Sequence, residues 1–208
     1  MNAVLFGATG MIGGRILQEL LSRGHKVTAV VRNPEKVPAN PAVKAVSGDL
    51  LNTSQSAGLI QGADAVISAY SPGNEPAMIV DATRSLIAAA QQAGVKRVIM
   101  VGGAGSLLVA PNLRLVDTPN FPAEWKPIAT AHTDAFEVLQ KSDLDWTYFS
   151  PAALIQPGKR TGKFRLGTDN LITDAQGNSS ISAEDYAIAL VDELETPKHI
   201  RQRFTVGY

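Results

Sequence analysis

The chain begins Met1-Asn2-Ala3-Val4-Leu5-Phe6-Gly7-Ala8-Thr9-Gly10-Met11-Ile12-Gly13-Gly14-Arg15. An apolar run from Ala3 to Phe6 precedes glycines at 7, 10 and 13, and Ile12, Ile16, Leu20 and Leu21 follow at helical spacing. That order reads as strand, tight turn, helix. Gly7 takes the backbone through a turn closed to side chains, Gly10 lets a pyrophosphate approach the main chain, and Gly13 lets the helix pack on its strand. The free amides and positive dipole end of the helix suit the phosphates of a dinucleotide. No Gly-Lys-Ser or Gly-Lys-Thr follows, so this is not a triphosphate loop. A merely structural turn is the competing reading.

The rest of the chain repeats the alternation. Lys26 to Val31 is a β-branched second strand, Val43 to Val46 a short third, Ala63 to Ala69 a fourth and Lys96 to Val101 a fifth. Val98-Ile99-Met100-Val101 is apolar without alternation, as in a central parallel strand covered on both faces. Helical spacing runs from Glu75 to Ala93 and again from Pro127 through Ile128, Ala131, Ala135, Val138 and Leu139. Asp145 to Phe149 is a sixth strand. Lys163 to Leu166 with Leu171 to Thr173 predicts a hairpin, Ala183 to Glu195 a helix capped by Ser182, and Arg203 to Val206 a last strand. Strands alternating with helices predict an α/β, Rossmann-like, doubly wound and mostly parallel sheet with helices on both faces, in one domain over residues 1–208. The loop 104–126, carrying Phe121 and Trp125, and the part 151–208 are expected to form an acceptor pocket.

In such sheets ligands lie beyond the carboxyl ends of the strands. The candidate cofactor contacts are therefore Gly7, Thr9, Gly10, Met11, Ile12 and Gly13 in the first turn, then Arg32, Asp49 and Leu50 after the second and third strands. Ala69 and Tyr70 follow the fourth strand, Gly102 and Gly103 the fifth, and Pro151 the sixth. An NAD site usually holds an acidic residue about twenty residues past the glycines to accept from the adenosine ribose. Arg32 stands there instead, which predicts NADP, with NADPH preferred over NADH; the alternative is a solvated Arg at a strand end. Asp49 either caps the following segment or approaches the adenine.

Composition narrows the function classes. The 208 residues contain no cysteine, which removes disulfides, thiolate nucleophiles and cysteine-bound zinc, and suits a reducing cytoplasm. No metal set is expected. Nineteen basic residues balance nineteen acidic ones, so neither nucleic acid nor a membrane surface is the expected partner. The N-terminal apolar run is too short for a signal peptide, and the chain is expected to be cytoplasmic.

A nicotinamide implies hydride transfer, and the proton then needs a carrier. Short-chain dehydrogenases use a Tyr with a Lys four residues on. Here Tyr70, Tyr148 and Tyr186 are followed at that distance by Asn74, Ala152 and Leu190, and Tyr208 is the last residue. Without the dyad, His132 and Ser106 are the candidate catalytic residues: His132 as a proton donor or a pocket wall, Ser106 as a hydrogen-bonding group or a plain loop serine. A conjugated ring that accepts hydride and takes its proton from water fits this sparse equipment better than a ketone does.

Gly7-Ala8-Thr9-Gly10-Met11-Ile12-Gly13, Val30-Val31-Arg32-Asn33-Pro34, Gly48-Asp49-Leu50, Gly102-Gly103, Leu144 to Pro151 and Ile181-Ser182-Ala183-Glu184-Asp185-Tyr186-Ala187 together resemble a family. It is the atypical short-chain dehydrogenase group of NmrA-like proteins, bacterial NADH-flavin reductase-like proteins and the biliverdin reductase B type, and the similarity spans essentially the whole chain. The resemblance implies NAD(P)H at the glycine turn and Arg32 near the 2′-phosphate. It also implies that His132 matches a histidine lining the flavin reductase pocket, with that pocket's serine near Gly105 and Ser106, one position out of register. The expected function is an NAD(P)H-dependent oxidoreductase acting on a flavin, quinone or similar small ring. Two alternatives are a non-catalytic NADP-binding redox sensor with a regulatory protein partner and a sugar-nucleotide epimerase or dehydratase. The missing Tyr and Lys and the short region after Pro151 weigh against the epimerase or dehydratase.

Overall fold

The computed structural model describes all 208 residues. Its strands are β1 (Asn2–Phe6), β2 (Lys26–Val31), β3 (Val43–Ser47), β4 (Ala65–Ser68), β5 (Arg97–Val101), β6 (Leu108–Ala110), β7 (Leu113–Arg114), β8 (Asp145–Ser150), β9 (Leu154–Gln156), β10 (Arg165–Gly167), β11 (Ser180–Ser182) and β12 (Gln202–Gly207). The helices are α1 (Met11–Ser22), α2 (Thr53–Ile60), α3 (Met78–Ala93), α4 (Lys126–Gln140) and α5 (Ala183–Glu195). The central sheet runs β10-β12-β8-β5-β4-β1-β2-β3. Every neighbouring pair is parallel except β10 with β12.

This is the doubly wound Rossmann-like fold, and side-chain alternation explains why its strands read as unbroken apolar runs. Leu5, Ala29, Ile67, Ile99, Phe149 and Phe204 face α1 and α5. Val4, Phe6, Val30, Val66 and Val98 face α2 and α3, and Met100, Trp146 and Tyr148 face α4. Both faces being dry, the pattern loses its period of two. Phe149 lies between the rings of Tyr186 and Phe204, with centroids 4.1 and 3.9 Å away. Ser182 caps α5 as expected, accepting from the Asp185 amide at 3.0 Å.

Three local expectations change. The helix α2 lies where no helix was expected, because its sequence buries only Ser56 and Ile60 and carries a mid-helix glycine; Asn52 starts it by accepting from the Gln55 amide. The expected hairpin of 163–166 with 171–173 does not form. β10 instead pairs antiparallel with the outer edge of β12, a longer and drier partner, while Leu171 donates to the Leu108 carbonyl at 2.9 Å. The segment 104–126 is not wholly irregular, since β6 and β7 form a short hairpin within it.

The winding depends on backbones meeting at the first turn. Gly7 sits at φ +80°, and a Cβ there would overlap the Ala69 carbonyl; one on Gly13 would overlap the Gly7 carbonyl oxygen. On Gly58, exposed in α2, a Cβ would meet nothing. Gly13→Ala is therefore expected to cost about 1–3 kcal/mol or more, and Gly58→Ala to add about 0.5–1 kcal/mol. Urea unfolding midpoints of the two variants check both signs.

Candidate active site

Because the strands run parallel, the ends of β1, β2, β3, β4, β5 and β8 share one edge, and the order reverses between β1 and β4. At that switch point the chain leaves β1 through Gly7, and the Gly10 amide donates back to the Gly7 carbonyl at 3.0 Å. Gly10 caps α1 with no side-chain bond and no acidic residue stands in the first turn. The amides of Met11, Ile12 and Gly13 have no acceptor in the protein, the first helical bond being Gly14 to Gly10. Three aligned donors on a positive helix end form an anion cradle. Met11, Ile12 and Gly13 take part through their backbones: the side chain of Ile12 packs on the core, and Gly13 is pressed against Gly7.

A cleft of about 500 Å³ opens beside the cradle and collects Gly7, Thr9, Gly10, Arg32, Asp49, Leu50, Ala69 and Tyr70, together with Ser71 to Gly73. Arg32 is exposed and makes no ion pair or hydrogen bond within the protein, so its guanidinium is free for a ligand. Of the two readings of Asp49, the helix cap is not met and the place beside the cleft is. One carboxylate oxygen accepts from the Leu51 amide at 3.0 Å and makes a local turn, whereas the helix cap itself is Asn52; the residue still faces the cleft. Tyr70 shares the cleft with Arg32, Asp49 and Glu75. Burial raises its pKa most, the Asp49 carboxylate adds to that, and Arg32 opposes it.

A second cavity, of about 380 Å³, opens over the end of the neighbouring strand β5. Its walls are the backbone of Gly103 to Gly105, the α4 residues Ile128, Ala129 and His132, and the loop residues Leu115, Phe121 and Trp125. Phe121 and Trp125 thus stand at this cavity, Trp125 being 53% exposed. Of the part 151–208 only Ala153 lines this cavity; the remainder builds the sheet edge and α5.

His132 borders the cavity under Gly103, and burial lowers its pKa to about 4. Its Nδ1 is buried with no partner, so the imidazolium would carry a proton there that nothing accepts. The ring is neutral at neutral pH and serves as a wall. Its position is held by Tyr148, whose hydroxyl donates to the His132 carbonyl at 2.9 Å and accepts from the Gly103 amide at 3.1 Å.

Three expected contacts are not where a ligand would meet them. Ser106 is buried and lines neither cavity: its hydroxyl accepts from Arg203 at 2.9 Å, and the same guanidinium nitrogen bonds the Ser106 carbonyl. At Gly102 the close neighbour is the ring of Tyr148, which a Cβ would strike. Pro151 is buried and borders neither cavity. Arg203, unremarked in the sequence, is the missed residue. Only 8% of its side chain is exposed, and it joins Ser106 to Asp169 while its guanidinium lies 5.0 Å from the Phe136 ring centroid. A basic residue in a short terminal strand carries no signal of such a role.

Comparison with known proteins bears on the family and the fold. A family model described as NAD(P)H-binding matches residues 7–197. A solved structure from Burkholderia pseudomallei, described as a "putative exported protein", is 52% identical with a TM-score of 0.93 and full coverage of both chains. One from Bacteroides thetaiotaomicron, described as a "putative epimerase", is 45% identical with a TM-score of 0.94, covering 100% of this chain and 96% of its own. A Streptococcus pneumoniae protein described as a "putative NADH-flavin reductase" is 35% identical with a TM-score of 0.86, covering 100% and 99%. No helix is long and apolar enough to cross a membrane.

Two measurements follow. In the unfolded chain His132 takes up a proton near its ordinary value of 6.5, but in the folded protein only near 4. Its contribution to stability is therefore complete above pH 6.5 and is lost as pH falls towards 4, by at most about 3 kcal/mol. Urea unfolding across that range should show a shallower pH dependence in His132→Gln than in the parent. Arg203→Met, which leaves Ser106 and Asp169 without their shared donor, should lower stability by about 2–3 kcal/mol; Ser106→Ala should cost only about 0.5–1.5 kcal/mol.

Proposed function

This chain belongs to the NAD(P)H-binding family, and from that premise we propose that it is an NADPH-dependent reductase passing hydride to a flavin, quinone or similar conjugated ring. The observation that carries the proposal is the adjacency of two unlike cavities. One has an anion cradle and a free Arg32; the other is apolar, aromatic and lacks a charged acid.

The residues fit the cofactor on three counts. The unpaired amides of Met11, Ile12 and Gly13 match a pyrophosphate, the unpaired Arg32 guanidinium matches a 2′-phosphate, and the second carboxylate oxygen of Asp49 remains free for the adenine. When bound, the reduced nicotinamide supplies a hydride, two electrons and one proton, and the acceptor ring completes its reduction with a proton from water. The chain's own task is positioning. Phe121 and Trp125 cover the acceptor cavity, Gly103 to Gly105 allow close approach to the backbone, and His132 holds a neutral edge. A cytoplasmic setting belongs to the same proposal, since a chain without cysteine has no disulfide to protect from a reducing compartment.

Incubation of the purified protein with NADPH and a panel of free flavins and quinones should oxidise NADPH well above background with at least one ring. Tight NADP binding with no oxidation across the panel would instead favour a cofactor sensor. Arg32→Ala should weaken NADPH by about tenfold or more, the worth of a charge-assisted bond, and leave NADH nearly unchanged. Equal losses for both would remove Arg32 from the 2′-phosphate.

A further inference from the structure

The acceptor cavity has a chemical bias that the family reading leaves open. None of the residues that line it is Asp, Glu, Lys or Arg. The nearby cations are engaged or face elsewhere. Arg114 is bound to Asp117 at 2.6 Å, and Arg203 to Asp169 and Ser106. Lys126, next to Trp125, lies in a separate groove between α3 and α4 beside Asp81 and Asp134.

What the cavity does offer is neutral. Asn120 is exposed with its carboxamide uncommitted, the Thr118 hydroxyl donates to the Leu115 carbonyl and keeps its lone pairs, and the glycine backbone supplies polar edges. Phe121 and Trp125 supply ring faces. A planar molecule with carbonyls on its rim gains area and hydrogen bonds here. An anionic group drawn inside would lose hydration with no cation to replace it.

We propose that this cavity holds conjugated rings through neutral contacts alone, taking quinones and phosphate-free flavins at least as well as flavin nucleotides, and contributes nothing to the phosphate of a flavin nucleotide. The proposal rests on the reductase reading for the identity of the occupant, but it concerns binding and is tested without turnover. Riboflavin and flavin mononucleotide share one ring system and differ by a phosphate, so the pair isolates the charge.

Isothermal titration of the full chain with saturating NADP⁺ should give a riboflavin dissociation constant equal to or below that of flavin mononucleotide. Raising the salt concentration should change neither by more than about twofold. Flavin mononucleotide binding threefold or more tightly than riboflavin would overturn the proposal, as would failure of both riboflavin and menadione to bind. Asn120→Lys places a cation in an exposed lining position and should move the preference towards flavin mononucleotide by about tenfold, the scale of one charge-assisted bond. No shift in that folded variant would also count against the proposal, because it would put the phosphate out of reach of the lining.

The two readings fail separately. Riboflavin that binds as expected but draws no hydride from NADPH removes the reductase and keeps the neutral cavity. Preferential binding and rapid reduction of flavin mononucleotide does the reverse.

Discussion

The backbone of Gly7 lies against those of Ala69 and Gly13, and the geometry of the carboxyl edge follows from that contact. A side chain at Gly7 or Gly13 would force β1, β4 and the start of α1 apart. Their closeness sets the switch point of the sheet and leaves the unpaired amides of Met11, Ile12 and Gly13 just past Gly10, at the border of the cleft that Arg32 and Asp49 line. A dinucleotide site on this fold is thus a consequence of strand order and backbone proximity, with side chains added at the ends.

One half of the edge carries charged groups and the other carries none, and each is fixed by what its residues are already bonded to. In the first cleft Arg32 has no protein partner and Asp49 uses one carboxylate oxygen locally, so charge remains available. Around the second cavity, charge has been neutralised internally. Arg203 is shared between Ser106 and Asp169, Arg114 is paired with Asp117, and His132 is kept neutral by burial. The two cavities therefore differ in the charge they offer a ligand, which is the contrast the proposed cofactor and acceptor use.

Much of the fold was legible because the strands that matter most are buried on both faces and carry long apolar runs, as Val98 to Val101 does. The first cleft was legible for a related reason: strand order puts Arg32, Asp49 and Tyr70 at one edge whatever their side chains do. What escaped notice depended on partners far away in sequence. α2 owes its place to Asn52 and packing on α3 rather than to its own weak period. β10 pairs away from its sequence neighbour because the free edge of β12 lies beyond any local pattern. Ser106 looked available because nothing near it in the chain announces Arg203, 97 residues on. The glycines after β5 did announce a close approach, but the neighbours are the Tyr148 ring and His132 as well as the cavity.

Tyr148 bears on how the proton moves. It reaches the wall of the second cavity through its bonds to Gly103 and His132, yet it is fully buried, and burial drives its pKa upward. Its proton is committed to the His132 carbonyl, and no lysine follows to stabilise a phenolate. That hydroxyl is spent on fixing the wall of the pocket and is not free for acid catalysis. His132, the next group along, is neutral and its Nδ1 is sealed. With the Tyr148 hydroxyl committed and the His132 Nδ1 sealed, the proposed acceptor, a ring whose reduced form takes its proton from water, asks acid catalysis of neither group, and the uncharged lining of the cavity agrees with that proposal.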